Sequence, residues 1–275
     1  MYLAVDIGGT KTLLAAFDES GQAVKEIKFP TPEKYDDFLS ELENQIKELD
    51  VEDFQAACVA VPGRIDRDHG RIISCGNLGW KNESIQAEVE DLIHAPVAIE
   101  NDAKLAGLSE ALLIIKEFKK TLYITISTGI GVGLIINGVI DTSIGDRGGK
   151  GVLLEHNGKI MPWEDFASGR AIVSKYGKKA NEITSQDDWK AIVKDLSLGI
   201  IDLNAILEPD VIVIGGGVGA SFGKFGRLLV EEIKQYETPM QSIPPIIGAK
   251  RPEEAVIYGC YELVKERYGS PVKTA

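Results

Sequence analysis

The chain has 275 residues, 44% of them hydrophobic and 26% charged, the proportions of a soluble globular protein with room for one large or two medium domains. Its net charge of −12 argues against a general nucleic-acid or anionic-membrane surface. It contains neither an apolar run of about 18 residues nor a basic leader with a cleavage site, so it is expected in the cytoplasm and off the membrane.

YLAVDIG is apolar and β-branched and predicts a buried strand. Only GGTK separates it from TLLAAFD, too few residues for a helix, so the two runs predict a hairpin. AVKEIKF adds a third strand after the turn ESGQ. Phe38, Leu39, Leu42, Ile46 and Leu49 then recur at helical spacing. AACVAVPG predicts a strand ending at Pro62-Gly63, ESIQAEVEDLIH an amphipathic helix, VAIEND a short strand and AKLAGLSEALLII a helix. Cys58, inside AACVAV, reads as a small core residue. With Cys75 and Cys260 it makes a scattered, odd set that fits neither a disulfide framework nor a zinc-binding spacing.

The pattern then restarts. TLYITISTGIGVGLIINGVI predicts strand, glycine turn and strand, and residues 142–163 read as irregular. WEDFASGRAIVSKYG begins a helix. DDWKAIVKDLSLGIIDLNAILEP predicts a long one, opening on Asp187 and Asp188, where carboxylates complement the helix dipole. DVIVIGGGVG is a strand running into glycines, and FGRLLVEEIKQY a helix. PPIIGAK predicts an edge strand, since its prolines cannot donate to a ladder. PEEAVIYGCYELVKERYG is a final helix with Pro near its start and Gly after its end. Two lobes are expected, residues 1–116 and 117–275, with the last helix, about 253–268, packing back on the first.

Each half opens on a hairpin whose turn is rich in Gly and Thr. Asp6-Ile7-Gly8-Gly9-Thr10-Lys11 reads either as an ordinary turn or as a phosphate site, where bare backbone N–H groups approach an anion beside a hydroxyl and a point charge. Asp6 would then hold Mg²⁺, directly or through water, because that ion favours one or two carboxylates plus phosphate oxygens. Ser127-Thr128-Gly129-Ile130-Gly131-Val132-Gly133 has the glycines of a dinucleotide fingerprint but runs on into a strand. That excludes the fingerprint and favours a second phosphate turn. Gly215-Gly216-Gly217-Val218-Gly219 is either plain loop or bare backbone for a nucleotide's base or ribose. In Glu100-Asn101-Asp102-Ala103, Asp102 is either a helix cap or the carboxylate that takes the proton of an attacking hydroxyl. Asn101 beside it offers donors and an acceptor to sugar hydroxyls. His69 and His94 have no partner at metal-ligand spacing and read as surface residues, and Trp80 as packing.

The order of the motifs is what makes them specific. D-x-G-G-T-K-T, V-P-G-R, N-L-G-W, E-N-D-A, S-T-G-I-G-V-G, E-D-F-A-S-G and I-G-G-G-V follow one another over nearly the whole chain. In this series the chain resembles the ROK family of sugar kinases and related repressors. The resemblance implies an α/β, actin-like (ribonuclease H-like) ATPase fold, two lobes with a nucleotide and sugar cleft between them. It implies an ATP-dependent kinase acting on a hexose hydroxyl, with glucose and its 6-hydroxyl first. Asp6, Gly8, Gly9, Thr10 and Lys11 would form the first phosphate turn, with Asp6 toward Mg²⁺, and Thr128 and Gly129 the second. Gly216 and Gly217 would lie by the adenosine. Asp102 would be the catalytic base, and Gly63, Asn77, Asn101, Asp102 and Glu164 would hold the sugar. A homodimer is the family's expectation.

The departures from the family lie in GGKGVLLEHNGKIMPWEDFASG. The segment has no cysteine, so structural zinc is expected to be absent. The family's E-x-G-H motif is missing in its usual form. His156, eight residues before Glu164, is either its replacement on the sugar or an exposed turn residue. No DNA-binding segment precedes the first strand, so a repressor is not expected. An N-acetylmannosamine or N-acetylglucosamine kinase, a polyphosphate glucokinase and a non-catalytic sugar sensor are the other readings.

Overall fold

In the computed structural model, which describes residues 1–269 apart from Glu52, Asn77 and Glu253, β1 (Tyr2–Ile7) and β2 (Lys11–Phe17) form the expected hairpin. β3 (Ala23–Pro30), α1 (Tyr35–Glu48) and β4 (Ala56–Val61) follow. A second hairpin, β5 (Gly63–Asp66) with β6 (Arg71–Cys75), was not expected from the sequence. Its tight connection is closed by Asp66, whose carboxylate accepts the His69 N–H (3.2 Å) and pairs with its ring (2.9 Å). α2 (Ile85–Ile93), β7 (Val97–Asn101) and α3 (Asp102–Ile114) complete the first half.

The second half runs β8 (Lys120–Ile126), β9 (Ile130–Ile136), β10 (Val139–Ile140), β11 (Leu153–His156), β12 (Lys159–Pro162), α4 (Trp163–Ala167) and α5 (Gly169–Tyr176). Then come α6 (Gln186–Leu207), β13 (Val211–Gly215), α7 (Gly216–Gly219), α8 (Phe222–Lys234), β14 (Ile246–Gly248) and α9 (Ala255–Tyr268). The chain separates into two units, Met1–Ser109 with Glu254–Ala275, and Glu110–Glu253. The division falls inside α3.

The two units carry one topology twice. The first sheet has the order β3-β2-β1-β4-β7 and the second β10-β9-β8-β13-β14. In each, a hairpin is followed by strands parallel to its first member. Strands buried on both faces read as nearly continuous apolar runs, and β1, β4 and β13 do so. In the first unit Leu3, Val5 and Ile7 of β1 and Val59 and Val61 of β4 share a core with Phe38, Leu42 and Ile46 of α1. Trp80 belongs to it, tilted on Phe38 with ring centroids 4.7 Å apart. α9 packs against β1 and β4, and its Tyr261 stacks on Phe17, the last residue of β2, at 5.1 Å. In the second unit Trp189 of α6 stacks on Phe225 of α8 at 5.0 Å, and β14 lies at the sheet edge as its prolines predict.

Two expectations need correction. Residues 142–163 are not irregular throughout: β11 and β12 pair through the turn Asn157-Gly158, with φ of 53° and 77°. Two positive φ values in an Asn-Gly pair define the turn whose twist matches a two-residue hairpin. Asn137-Gly138, at 53° and 79°, makes the same turn between β9 and β10, which supplies the second sheet's third strand. The helix expected from WEDFASGRAIVSKYG is broken at Ser168, an extended residue whose hydroxyl caps α5 by accepting the Ala171 N–H (3.3 Å). No described helix is long and apolar enough to cross a membrane.

Phe38 is fully buried between Phe29, Tyr35 and Trp80. Phe38→Ala is expected to cost about 3–5 kcal/mol, measured as a lowered urea midpoint by circular dichroism. A loss under about 1 kcal/mol would mean that this aromatic cluster does not hold α1 to the sheet.

Two glycine turns and the carboxylates beside them

The first turn joins Asp6 and Ile7, at the end of β1, to Lys11, the first residue of β2. The Gly8 N–H donates to the Lys11 carbonyl (3.0 Å) and the Thr31 N–H to the Thr10 carbonyl (3.0 Å). The Thr31 hydroxyl donates to the Gly8 carbonyl (2.8 Å). Its one proton being used there, it accepts from the Thr12 hydroxyl at 2.9 Å. The carbonyls of Gly8 and Thr10 are thus tied down by the residue after β3, while Gly9, Thr10 and Lys11 stay exposed. Thr31 carries no motif; only the β2–β3 register brings it here.

Asp6 is pushed up to about 7 from an ordinary value of 3.8, first by burial and then by the charge of Asp102, with Lys28 opposing. Two carboxylates therefore stand within electrostatic reach of one another. Asp102 opens α3, but the cap of that helix is shared. The Asn101 side-chain carbonyl accepts the N–H groups of Ala103 (3.1 Å) and Lys104 (3.3 Å), and the Asp102 carboxylate also accepts from Ala103 (2.8 Å). The Asn101 amide donates to the Gly63 carbonyl (3.1 Å). Behind this lies Glu100, 1% exposed, paired by both oxygens with Arg67, whose Nε donates at 2.9 Å. Glu100 also accepts the Asn101 N–H (2.7 Å). The Cys75 thiol, donating to the Pro62 carbonyl (3.7 Å), is pushed up to about 12 by burial and by Asp102. Asp6, Gly63, Asn101 and Asp102 are brought together; Asn77 lies outside the described residues.

In the second unit the turn Ser127-Thr128-Gly129 joins β8 to β9. The Ser127 N–H donates to the Gly129 carbonyl (2.8 Å), and the Gly169 N–H to the Ser127 carbonyl (2.7 Å). Glu164, 6% exposed on α4, accepts the Ile130 N–H on Oε2 (2.9 Å). Its Oε1 faces the Lys150 Nζ at 3.6 Å and an Arg170 guanidinium nitrogen at 3.5 Å. A Cβ at position 129 would stand 2.5 Å from Oε2, so this carboxylate can lie under the turn only where that residue is glycine. The sequence assigns Glu164 and Gly129 to different ligands, and the structure brings them into contact.

Gly216 has φ of +78°, and a Cβ there would stand 2.4 Å from the Thr125 hydroxyl; glycine is required at that point. Gly217 beside it is exposed. His156 is engaged elsewhere. Its Nε2 pairs with Asp195 (3.2 Å), its Nδ1 with the Asn157 amide (3.1 Å), and its ring stacks on Phe166 at 4.1 Å. No local pattern marks Thr31, Arg67 and Lys150, which meet their partners from distant or irregular segments, or Arg170, whose partner Glu164 lies across the break between α4 and α5.

Comparison with known proteins places this geometry in context. The sequence profile of the ROK family matches residues 2–267. A glucokinase of Streptomyces coelicolor is 24% identical over 96% of this chain and 97% of the relative. A putative fructokinase of Bacillus subtilis is 29% identical over 78% and 76%, and an N-acetyl-D-glucosamine kinase of Yersinia enterocolitica 27% over 91% and 94%. Among solved structures, a ROK family glucokinase from Streptomyces griseus in complex with glucose and AMPPNP matches with a TM-score of 0.82 at 21% identity, over 96% of this chain and 99% of that one. The fold is the actin-like ATPase fold.

A carboxyl that titrates near 7 when folded and near 3.8 when unfolded holds its proton longer in the native state. Stability is therefore lost as pH rises between those values, by at most about 4 kcal/mol and by less where solvent reaches Asp6. Without divalent cations, Asp6→Asn is expected to be about 1–3 kcal/mol more stable than the parent at pH 8 and nearly equal at pH 4. Urea denaturation at the two pH values checks it; an identical pH slope in both proteins refutes the buried charge.

Proposed function

Because this chain belongs to the ROK family, we propose that it is a sugar kinase, transferring the γ-phosphoryl group of ATP to a hexose hydroxyl, with glucose and its 6-hydroxyl the first candidate. The observation that carries the reading is the carboxylate pair. A glycine turn with exposed N–H groups, a hydroxyl and a lysine stands beside Asp6, and Asp6 stands within electrostatic reach of Asp102. One acid would hold a divalent cation against the phosphates, and the other is fixed at a helix start where a reacting hydroxyl needs a base.

In this mechanism Gly8, Gly9, Thr10 and Lys11 bind phosphate oxygens at the first turn, and Thr128 and Gly129 are the phosphate-binding residues of the second turn. Such donors act by neutralising charge as it spreads over the transferred group. Gly216 and Gly217 offer bare backbone to the adenosine. Asp102 accepts the proton of the attacking hydroxyl. Asn101 and Glu100 keep it in place: the first shares its helix cap, and the second anchors the strand end through Arg67. The Asp6–Asp102 repulsion is what a divalent cation relieves, so these residues fit Mg²⁺. Asp6 would hold it, and the ion would offset charge on the donor's phosphates.

The relatives bear the names of glucose, fructose and N-acetylglucosamine kinases at 24–29% identity, so their names do not select one sugar. A coupled ADP-release assay crossing ATP, GTP and polyphosphate with hexoses and N-acetylhexosamines tests the reading. Turnover with ATP and a hexose is expected, and none with any pair would overturn it in favour of a sugar sensor. Asp102→Asn is expected to lower kcat by 10²–10⁴-fold while sugar binding stays within about threefold. A kcat near that of the parent would remove Asp102 from the chemistry.

A further inference from the structure

One residue outside the first hairpin holds two carbonyls of its turn. Thr31 follows β3, and the register that sets Lys11 opposite Pro30 and Thr12 opposite Phe29 brings it beside Thr10. Its N–H donates to the Thr10 carbonyl at 3.0 Å and its hydroxyl to the Gly8 carbonyl at 2.8 Å. The Thr12 hydroxyl, on a residue with no exposed surface, lies 2.9 Å from the Thr31 oxygen and donates to it. A relay of two hydroxyls therefore ends on the Gly8 carbonyl.

In a planar trans peptide the carbonyl of one residue and the N–H of the next point in opposite directions. Holding the Gly8 and Thr10 carbonyls toward Thr31 thus turns the Gly9 and Lys11 N–H groups away from it. The Gly8 N–H is used within the turn, on the Lys11 carbonyl at 3.0 Å. No described residue accepts the Gly9 N–H, and Gly9, Thr10 and Lys11 are exposed. A peptide unit left free to rotate would offer its carbonyl oxygen where an anion needs a donor.

We infer that Thr31 is a positioning residue of the first phosphate turn: backed by Thr12, it fixes the two peptide planes that aim the Gly9 and Lys11 N–H groups at the donor's phosphates. The inference rests on the kinase reading above and narrows it. The amides of Gly9 and Lys11 face the donor, and that of Gly8 closes the turn behind them.

The test is equilibrium binding of AMP-PNP and of AMP, both with Mg²⁺, to the parent protein, Thr31→Val, Thr31→Ser and the double variant Thr12→Val/Thr31→Val. AMP lacks the terminal phosphates, so a general distortion moves both ligands while loss of phosphate contacts moves only one. Valine keeps the shape of threonine without its hydroxyl. Thr31→Val releases the Gly8 carbonyl and also leaves the buried Thr12 hydroxyl without its acceptor. The double variant removes that orphaned group, so its thermal midpoint is expected to return toward the parent's, while the Gly8 carbonyl stays released. Both valine variants are expected to bind AMP-PNP about fivefold more weakly or worse, with AMP within about twofold. Thr31→Ser keeps the hydroxyl and is expected to bind both ligands within about twofold of the parent. Recovery of AMP-PNP affinity together with the thermal midpoint in the double variant means a merely structural role and overturns the assignment. Parent-like AMP-PNP affinity in both valine variants, equal losses of AMP and AMP-PNP, or a serine variant as weak as the valine one overturns it too. Each of these leaves the kinase reading standing, whereas a parent protein that binds no AMP-PNP overturns both.

Discussion

A hairpin turn whose outer face stays open must have its own polar groups satisfied from beneath. In both units that demand falls on one side chain from outside the hairpin. Thr31 donates its hydroxyl to the Gly8 carbonyl and takes the Thr12 hydroxyl in return. Glu164 accepts the Ile130 N–H under the second turn. The topology is duplicated but the supports are not: one is a neutral hydroxyl pair, the other a buried carboxylate. A neutral support needs no counter-ion. A carboxylate with little solvent around it does, and Lys150 and Arg170 answer that need while standing half exposed beside the turn.

The same logic orders the first unit's acidic end. Burial first, and then the repulsion between Asp6 and Asp102, holds Asp6 far above its ordinary value. Such a pair persists only if the backbone beneath it cannot relax. Asn101 shares the cap of α3 and reaches across to the Gly63 carbonyl, and Glu100 ties the strand end to Arg67. A fully paired buried network of this kind fixes one arrangement of its members. Its members come from β5, the β5–β6 connection, β7 and α3, so the acid is held by four pieces of chain instead of by its own rotamer alone.

Most of the strand order is legible in the sequence, because short polar connections between apolar runs leave no alternative to a hairpin and the pattern recurs after residue 119. Two further turns are also local signals: Asn137-Gly138 and Asn157-Gly158 are both two-residue hairpin turns, and the second makes part of residues 142–163 a regular hairpin. The break at Ser168 has a different origin. WEDFASGRAIVSKYG has helical spacing throughout, and the helix stops because the Gly169 N–H bonds the Ser127 carbonyl instead of an N–H···O partner on its own helix. The tie between Glu164 and the second turn was illegible for the same reason. It joins residues 34 positions apart, and no periodicity encodes such a pairing. His156 shows the reverse case: a lone imidazole invites a ligand, yet Asp195, Asn157 and Phe166 occupy it within its own unit.

The overall charge of −12 leaves a polyanionic donor as an apparent contradiction. At physiological ionic strength exposed charges more than about 8 Å apart are largely screened, so the total says little about a site a few ångströms wide. What acts at each turn is its own local set: Lys11 at the first, and Lys150 and Arg170 beside the carboxylate under the second. Each turn adds uncovered backbone N–H groups that carry partial positive charge without any ionised side chain. The surplus of acid elsewhere then works in the site's favour. Under the proposed kinase reading, a compact anion that meets only a locally compensated turn is favoured over an extended one that must also meet the rest of an acidic chain.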